Sequence, residues 1–395
     1  MILNPNSSLL EQSISKLLNW VERHDYKGYD PGDGLTSFLR PLTFKKLFLE
    51  RVLMQVIWKS PVNLRPWLGV KPLDSCIGRG FFARGYLKLF QLTGDLNYKE
   101  KAIDCLNWLI SHKSPYTEEY AWGKMFDFSS RGGRQIRYEP ITIWTSLIGQ
   151  AFLDAYEIIG DENYLKIAES VCNWIIRVPR TITETGFCIN YTASDKKDCT
   201  IHNQSMEAAF MLARTFKHTG NKDLIEVARE AVMFTCERQR PDGSWYYGED
   251  KKFHWIDSFH TGYILDGLKG YIENTGDKRY EKALDKGYVY YKNSFFTEDG
   301  RPKYYHNSLY PIDIQCAAQA IDTLTYFADY DEEAISLALK VALWTIKNMQ
   351  AKDGHFYYRI YPFVRAKGPM IHWGQATMFK ALTSLCLYIK KKKTL

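Results

Sequence analysis

PITIWTSLIGQAFLDAYEIIGDENYLKIAESVCNWIIR, residues 140–177, reads as two helices joined by a sharp turn. The first half is small and apolar on nearly every side, which suits a helix packed on two faces. Gly160 fits a helix C-cap, and Asp161 fits the N-cap of the helix that follows. The second half spaces its apolar residues helically, with charges between, as an outer amphipathic helix does. The pair is an αα-hairpin.

The hairpin recurs. Gly94, Gly160, Gly220 and Gly276 each sit in a TGD, IGD or TGN step, and an aromatic follows fourteen residues later at Trp108, Trp174, Phe234 and Tyr290. Asn6 to Trp20 and Tyr330 to Trp344 keep the interval without the glycine. Outer helices are therefore expected near 7–24, 97–112, 163–177, 222–238, 278–293 and 332–349. Inner helices are expected to begin near Gly78, Pro140, Asn203, Ser258, Ile312 and Trp373. Pairing the first outer helix with the last inner one closes a ring. The expected fold is all-α: an α/α toroid of six hairpins in one domain, residues 1–395, with short β-hairpins in the rim loops. An open solenoid is the alternative. Residues 26–77 break the period as an insertion with one extra amphipathic helix, which either docks on the toroid or touches a membrane surface.

The rim loops lead from each outer helix into the next inner one. Three carry Asp-Gly followed by aromatics: DGSWYY, DGRPKYY and DGHFYY. The richest stretch is residues 237–263, ERQRPDGSWYYGEDKKFHWIDSFHTGY, which ends on a helix N-terminus at Asp257. It crowds Trp245, Tyr246, Tyr247, His254, Trp255 and His260 around that N-terminus. Aromatic faces for sugar rings beside ionisable groups suit a carbohydrate site. Tyr358 and Trp373 extend the aromatic set. Asp257 and Asp313 are the acidic candidates, as acid and base of glycosidic cleavage or as plain N-caps, with Glu139 and Asp30 or Asp33 behind them. His202, His260 and His372 are candidate proton carriers, as in an epimerase or lyase. Arg79 and Arg359 are candidate clamps for an anionic group. Fifteen residues before each glycine step, Arg79, Thr145, Ser205 and Thr261 are all polar, and Gln315 and Gln375 take the equivalent places. This register reads as an inward polar ring or as a set of caps for the loops.

Composition narrows the classes. The chain has 395 residues, 45% hydrophobic, 15% aromatic, with a net charge of +7, which favours an acidic partner such as an anionic glycan. No nucleic-acid motif accompanies the charge, so no nucleic-acid partner is expected. GRGFFARG (78–85) matches neither nucleotide-binding spacing, so no cofactor is expected. No H-x-x-x-H or C-x-x-C spacing points to a metal. The eight cysteines (Cys199 among them) read as buried thiols of a reducing compartment. No signal peptide and no apolar run of spanning length is evident, so a cytoplasmic location is expected. Lys390 to Lys393 and the basic insertion helix suggest peripheral contact with the anionic inner face of the membrane.

SPVNLRPWLG (60–69), YEPITIWTSLIGQAFLDAYEIIGDENYLKIA (138–168), WIDSFHTGYILDGLKGYIENTGD (255–277), PKYYHNSLYPIDIQCAAQAI (302–321) and HWGQATMF (372–379) resemble the VpsJ-like proteins of bacterial exopolysaccharide and capsule gene clusters. The resemblance implies a toroid related to the six-hairpin glycosidases and a place in cell-surface polysaccharide biosynthesis. Polysaccharide or a lipid-linked oligosaccharide is then the expected partner. The leading expectation is cleavage of a glycosidic bond, by hydrolysis or elimination. The alternatives are sugar epimerisation by paired histidines, and glycan binding without catalysis.

Overall fold

The computed structural model describes residues 5–193 and 200–394. In chain order its α-helices are α1 (Pro5–Arg23), α2 (Leu47–Lys59), α3 (Cys76–Thr93), α4 (Leu96–Ser111), α5 (Thr142–Ile159), α6 (Glu162–Arg177), α7 (His202–Thr219), α8 (Lys222–Cys236), α9 (Ser258–Thr275), α10 (Glu281–Ser294), α11 (Ile314–Tyr326), α12 (Ala334–Met349) and α13 (Thr377–Thr394). Each inner helix packs on the next: α3 on α5, then α7, α9, α11 and α13, and α13 returns to α3. The outer helices α4, α6, α8, α10 and α12 back their inner partners, and α1 backs α13. The ring closes, so the fold is the α/α toroid of six hairpins.

The glycine steps make the hairpins. Gly94, Gly160, Gly220 and Gly276 all sit at positive φ, 68° to 82°, where a side chain is strained, and each returns its N–H to the last helical turn. One residue on, Asp95, Asp161, Asn221 and Asp277 cap the outgoing segment by accepting from the backbone N–H two residues ahead. Such caps stabilise by about 0.5–2 kcal/mol each. The fifth hairpin has no glycine, and Asp331 caps its outer strand of chain instead, through Glu333 N.

Amphipathicity sorts the layers. Every residue of α5 from Thr142 to Ala155 is buried, whereas α6 buries one stripe, including Leu165, Ala168, Cys172 and Ile175. Among the described residues the seven cysteines are buried and none is bridged to another. Cys199 lies outside the described residues. No helix among the described residues is long and apolar enough to cross a membrane.

The connections into the inner helices gather at one end of the ring. They form two small hairpins, Phe128–Ser130 with Gly133–Gln135 and Arg180–Ile182 with Phe187–Ile189, and a three-stranded sheet joining Ile312–Asp313, Arg359–Ile360 and Arg365–Ala366. The extra helix α2 lies across this end. Its Glu50 is fully buried and accepts from Ser129 Oγ and Arg134 Nε, both at 2.8 Å, which pins α2 to the first hairpin. Trp58 Nε1 donates to the Tyr358 hydroxyl and ties the other end to the sheet loop.

Candidate functional site

A cavity of about 1160 Å³ opens at this end, over the N-termini of the inner helices. Its inward register is seventeen residues before each glycine step: Ile77, Ile143, Asn203 and Phe259 all line it. One turn deeper, Phe81, Leu147 and Tyr263 line it as well. Spacing by four residues is one helix face.

The polar register fifteen residues before the glycines faces the loops instead. Thr145 Oγ1 accepts from Trp122 N at 3.0 Å, Ser205 Oγ from Ile189 N at 3.2 Å, and Gln375 Oε1 from Phe356 N at 2.7 Å. Thr261 Oγ1 donates to Asp257 O. Thr145, Ser205 and Gln375 thus clasp loop chain at the mouths of their helices, which satisfies backbone groups that irregular loops would leave orphaned. Arg79 pairs with Asp74 at 2.6 Å and covers the Tyr26 ring, away from the cavity. Gln315 alone of the six lines the cavity, with its amide on the Tyr263 hydroxyl at 3.0 Å.

The two acidic candidates are both fully engaged. Asp313 caps α11 through Gln315 N at 2.8 Å, accepts Trp373 Nε1 at 2.8 Å and pairs with Arg359. Asp257 caps α9 through His260 N at 3.0 Å and accepts Trp255 Nε1 at 2.8 Å. Neither carboxylate lines the cavity. Their neighbours do: Arg359, Trp373, Trp255 and His260 all reach it.

Two histidines meet the cavity, each with a carboxylate behind it. His260 Nδ1 lies 2.7 Å from Asp257 Oδ2, so its Nε2 is the nitrogen left for the cavity. Tyr247 and Phe259 hold the ring by tilted contacts at 4.3 and 3.8 Å. His372 sits in a π-helical turn, Ile371–Ala376, which widens the start of the last inner helix. Its Nδ1 lies 2.5 Å from Asp30 Oδ2, at ion-pair distance but off the line of a linear hydrogen bond. Burial opposes the charge of Asp30, but His372 and then Lys124 outweigh it and hold the carboxyl well below the usual range. Phe259 and Trp373 meet edge to face at 5.3 Å between the two histidines.

Other candidates stand elsewhere. His202 is buried on Phe234 and bonded to Glu249 at 2.8 Å, outside the cavity lining. Trp245 is core, its Nε1 on Thr235 O and its ring against Gly287. Tyr246 and His254 stack on each other at 4.2 Å, and Tyr358 is buried beneath Trp58, all three off the lining. Glu139 and Tyr247 do line the cavity.

Sequence reasoning did not single out Lys124 or Trp144. Lys124 Nζ stands 4.2 Å from the Trp144 ring centroid and 4.7 Å from that of Phe128. Burial lowers its pKa and Asp30 opposes the shift. A signal existed for Trp144: it lies sixteen residues before Gly160, the place His260 holds before Gly276. Among the described residues no cluster of His, Cys, Asp and Glu is arranged to hold a metal ion.

The fold is shared with solved structures of low identity. The chain is similar to a cellobiose 2-epimerase from Bacillus thermoamylovorans (10% identity, 81% of this chain and 88% of that one, TM-score 0.62). It is similar to an unsaturated glucuronyl hydrolase specific for heparin (14% identity, 98% of both chains, TM-score 0.65). A D-mannose isomerase matches likewise (13% identity, 80% of this chain and 87% of that one, TM-score 0.60). No family model and no curated protein matches the sequence.

Proposed function

We propose that this protein is a carbohydrate-active enzyme that moves a proton at a sugar carbon beside a carbonyl, as an epimerase or isomerase of a bacterial surface glycan or its precursor. The observation that carries this is the pair of carboxylate-backed histidines, His260 and His372, on the wall of one cavity. In an open-chain sugar one imidazole Nε2 takes the proton from the carbon next to the carbonyl, leaving an enediolate. Return of a proton to the opposite face of that carbon by the other imidazole inverts it; return to the neighbouring carbon isomerises the sugar. Asp257 fixes the His260 ring by its hydrogen bond, and each carboxylate offsets the imidazolium that forms beside it. Trp144, Trp255 and Trp373 line the cavity and give the sugar aromatic surface to pack on. The similarity to a cellobiose 2-epimerase and a D-mannose isomerase supports this reading, and the resemblance of residues 138–168 and 302–321 to VpsJ-like proteins supports the surface-polysaccharide setting.

Cleavage of a glycosidic bond is the second reading. It rests on Asp30 and Glu139, the two carboxylates that line the cavity, since Asp257 and Asp313 are spent on loops and partners. Incubating the protein with reducing oligosaccharides in deuterated water separates the two. Deuterium at the carbon beside the carbonyl, lost in both His260→Ala and His372→Ala, supports proton transfer. New reducing ends without solvent exchange sink it and favour cleavage.

A further inference from the structure

Half of the exposed large hydrophobic side chains among the described residues lie between positions 38 and 67, in the segment that crosses the cavity mouth. Phe44 is 74% exposed, Phe48 70% and Trp67 71%. Phe48, Val52 and Val56 form one stripe along α2 by their spacing of four, and it faces solvent. Leu47, Arg51, Met54, Gln55 and Trp58 on the same helix line the cavity. Phe363, fully exposed, joins from the sheet loop, where Tyr361 Oη donates to Lys59 O at 3.5 Å. Exposed large apolar side chains concentrated in one segment in this way mark a contact site.

Its charge says what it contacts. Between 38 and 72 the single acid is Glu50, which is buried and paired. Lys46 and Lys71 lie beside the patch, and Lys45, Arg51 and Lys59 stand on its border with the cavity they line; none of the five has an ion pair among the described residues. A second copy docking on the same face would bring these cations against themselves, because a two-fold contact is self-complementary only when its charges are. An anionic lipid surface matches both features: aromatic and aliphatic side chains enter the interface while lysines meet headgroups. We propose that the α2 face docks the mouth of the cavity onto an anionic membrane surface. This does not depend on the reaction class, and its test reads no turnover.

The structure also separates this face from the lysine tail. α13 leaves the mouth at Trp373 and runs 18 residues from Thr377, about 27 Å at 1.5 Å per residue, so Lys390–Lys392 lie at the far end of the ring. There Lys392 pairs with Asp329 at 3.1 Å and Lys390 Nζ bonds Leu92 O at 2.6 Å. One flat membrane cannot take both ends.

Sedimentation of the full chain with vesicles tests the proposal. Binding is expected with phosphatidylglycerol in phosphatidylcholine and not with phosphatidylcholine alone. The Phe44→Ser/Phe48→Ser variant and the Lys45→Glu/Lys46→Glu variant should each weaken it about tenfold or more. Removing residues 391–395 should leave it unchanged. All four side chains are exposed, so thermal unfolding of the variants should match the parent. Absence of binding to anionic vesicles at low salt would overturn the proposal. So would binding that survives both double variants, binding lost with the tail, or a dimer in solution that the phenylalanine variant dissociates.

Discussion

Asp257 holds His260 twice. Its Oδ1 accepts the His260 backbone N–H at 3.0 Å, and its Oδ2 accepts from the ring Nδ1 at 2.7 Å. One carboxylate therefore starts the helix and sets the imidazole. Cap and orienter are separate duties, and substitution separates them.

Asp257→Asn keeps a good N-cap but removes the anion behind the ring. Turnover should fall by roughly a hundredfold or more, as expected for a misplaced acid–base group, while KM changes little. His260→Gln should lose as much without further loss in the double variant, since the two act as a unit. Steady-state kinetics beside thermal melts read this directly. Turnover near normal with a lowered melting temperature would leave Asp257 a cap and nothing more.

Asp313 predicts the reverse pattern. It is fully buried against Arg359, Trp373 and the first turn of α11. Asp313→Ala strands the Arg359 guanidinium, and breaking a buried pair from one side costs about 3–5 kcal/mol. The urea midpoint should drop accordingly. Asp313→Ala/Arg359→Met should recover part of the loss, because the stranded charge is gone. A midpoint that the second substitution fails to raise would assign the damage to the lost cap.

The ring was legible because its signals are local. Gly160 at positive φ followed by Asp161 capping Asn163 is a statement about four consecutive positions, and its recurrence counts hairpins. Part of the cavity lining was legible as well. His260 and His372 stood out by type, and Asp257 by its place before an apolar run. Facing direction was not legible. Thr145 and Ser205 share a register with Gln315, yet the first two reach back to loop backbone and the third into the cavity. The choice depends on loops that enter from one side, which sequence spacing does not encode. The pairing of Asp30 with His372 spans the whole chain, and only closure of the ring brings them together.

Lys124 should select charge. It stands in the cavity between aromatic faces, with no hydrogen bond to its Nζ among the described residues. On the proposed function, Lys124→Gln should raise KM about tenfold or more for a uronate-bearing sugar and little for its neutral counterpart, since it removes a charge-assisted contact. Lys124→Arg should restore most of it. Equal change in KM for both sugars would assign Lys124 to structure alone.

Glu207 makes stability depend on pH with a definite sign. It lies on α7 thirteen residues before Gly220, the register that in α3, α5 and α9 faces the cavity floor. Burial chiefly, with Asp266 second, pushes its carboxyl up to about 8, against Lys380 and Arg84. Asp266 is pushed up to about 7 by burial and by Asp322. Asp154, from α5, is already engaged by Arg84 at 2.8 Å and Arg214 at 2.7 Å, and Lys380 pairs with Asp322. Lys88, in the same cluster beside Asp154, has its own pKa lowered by burial, and among the described residues Glu207 makes no ion pair, so burial favours its protonated form. An unfolded glutamate titrates near pH 4.3. Between that pH and about 8 the folded state binds the extra proton, so stability is highest at the acid end of the window and falls as pH rises. Glu207→Gln should abolish most of that slope, and its stability advantage should grow steadily from about pH 5 to 8. Glu207 and Asp266 titrate as a pair, so Asp266→Asn should flatten part of the same slope. Urea unfolding across this range measures it. Parallel stability curves for the parent and Glu207→Gln would mean that Glu207 is ionised in the folded ring.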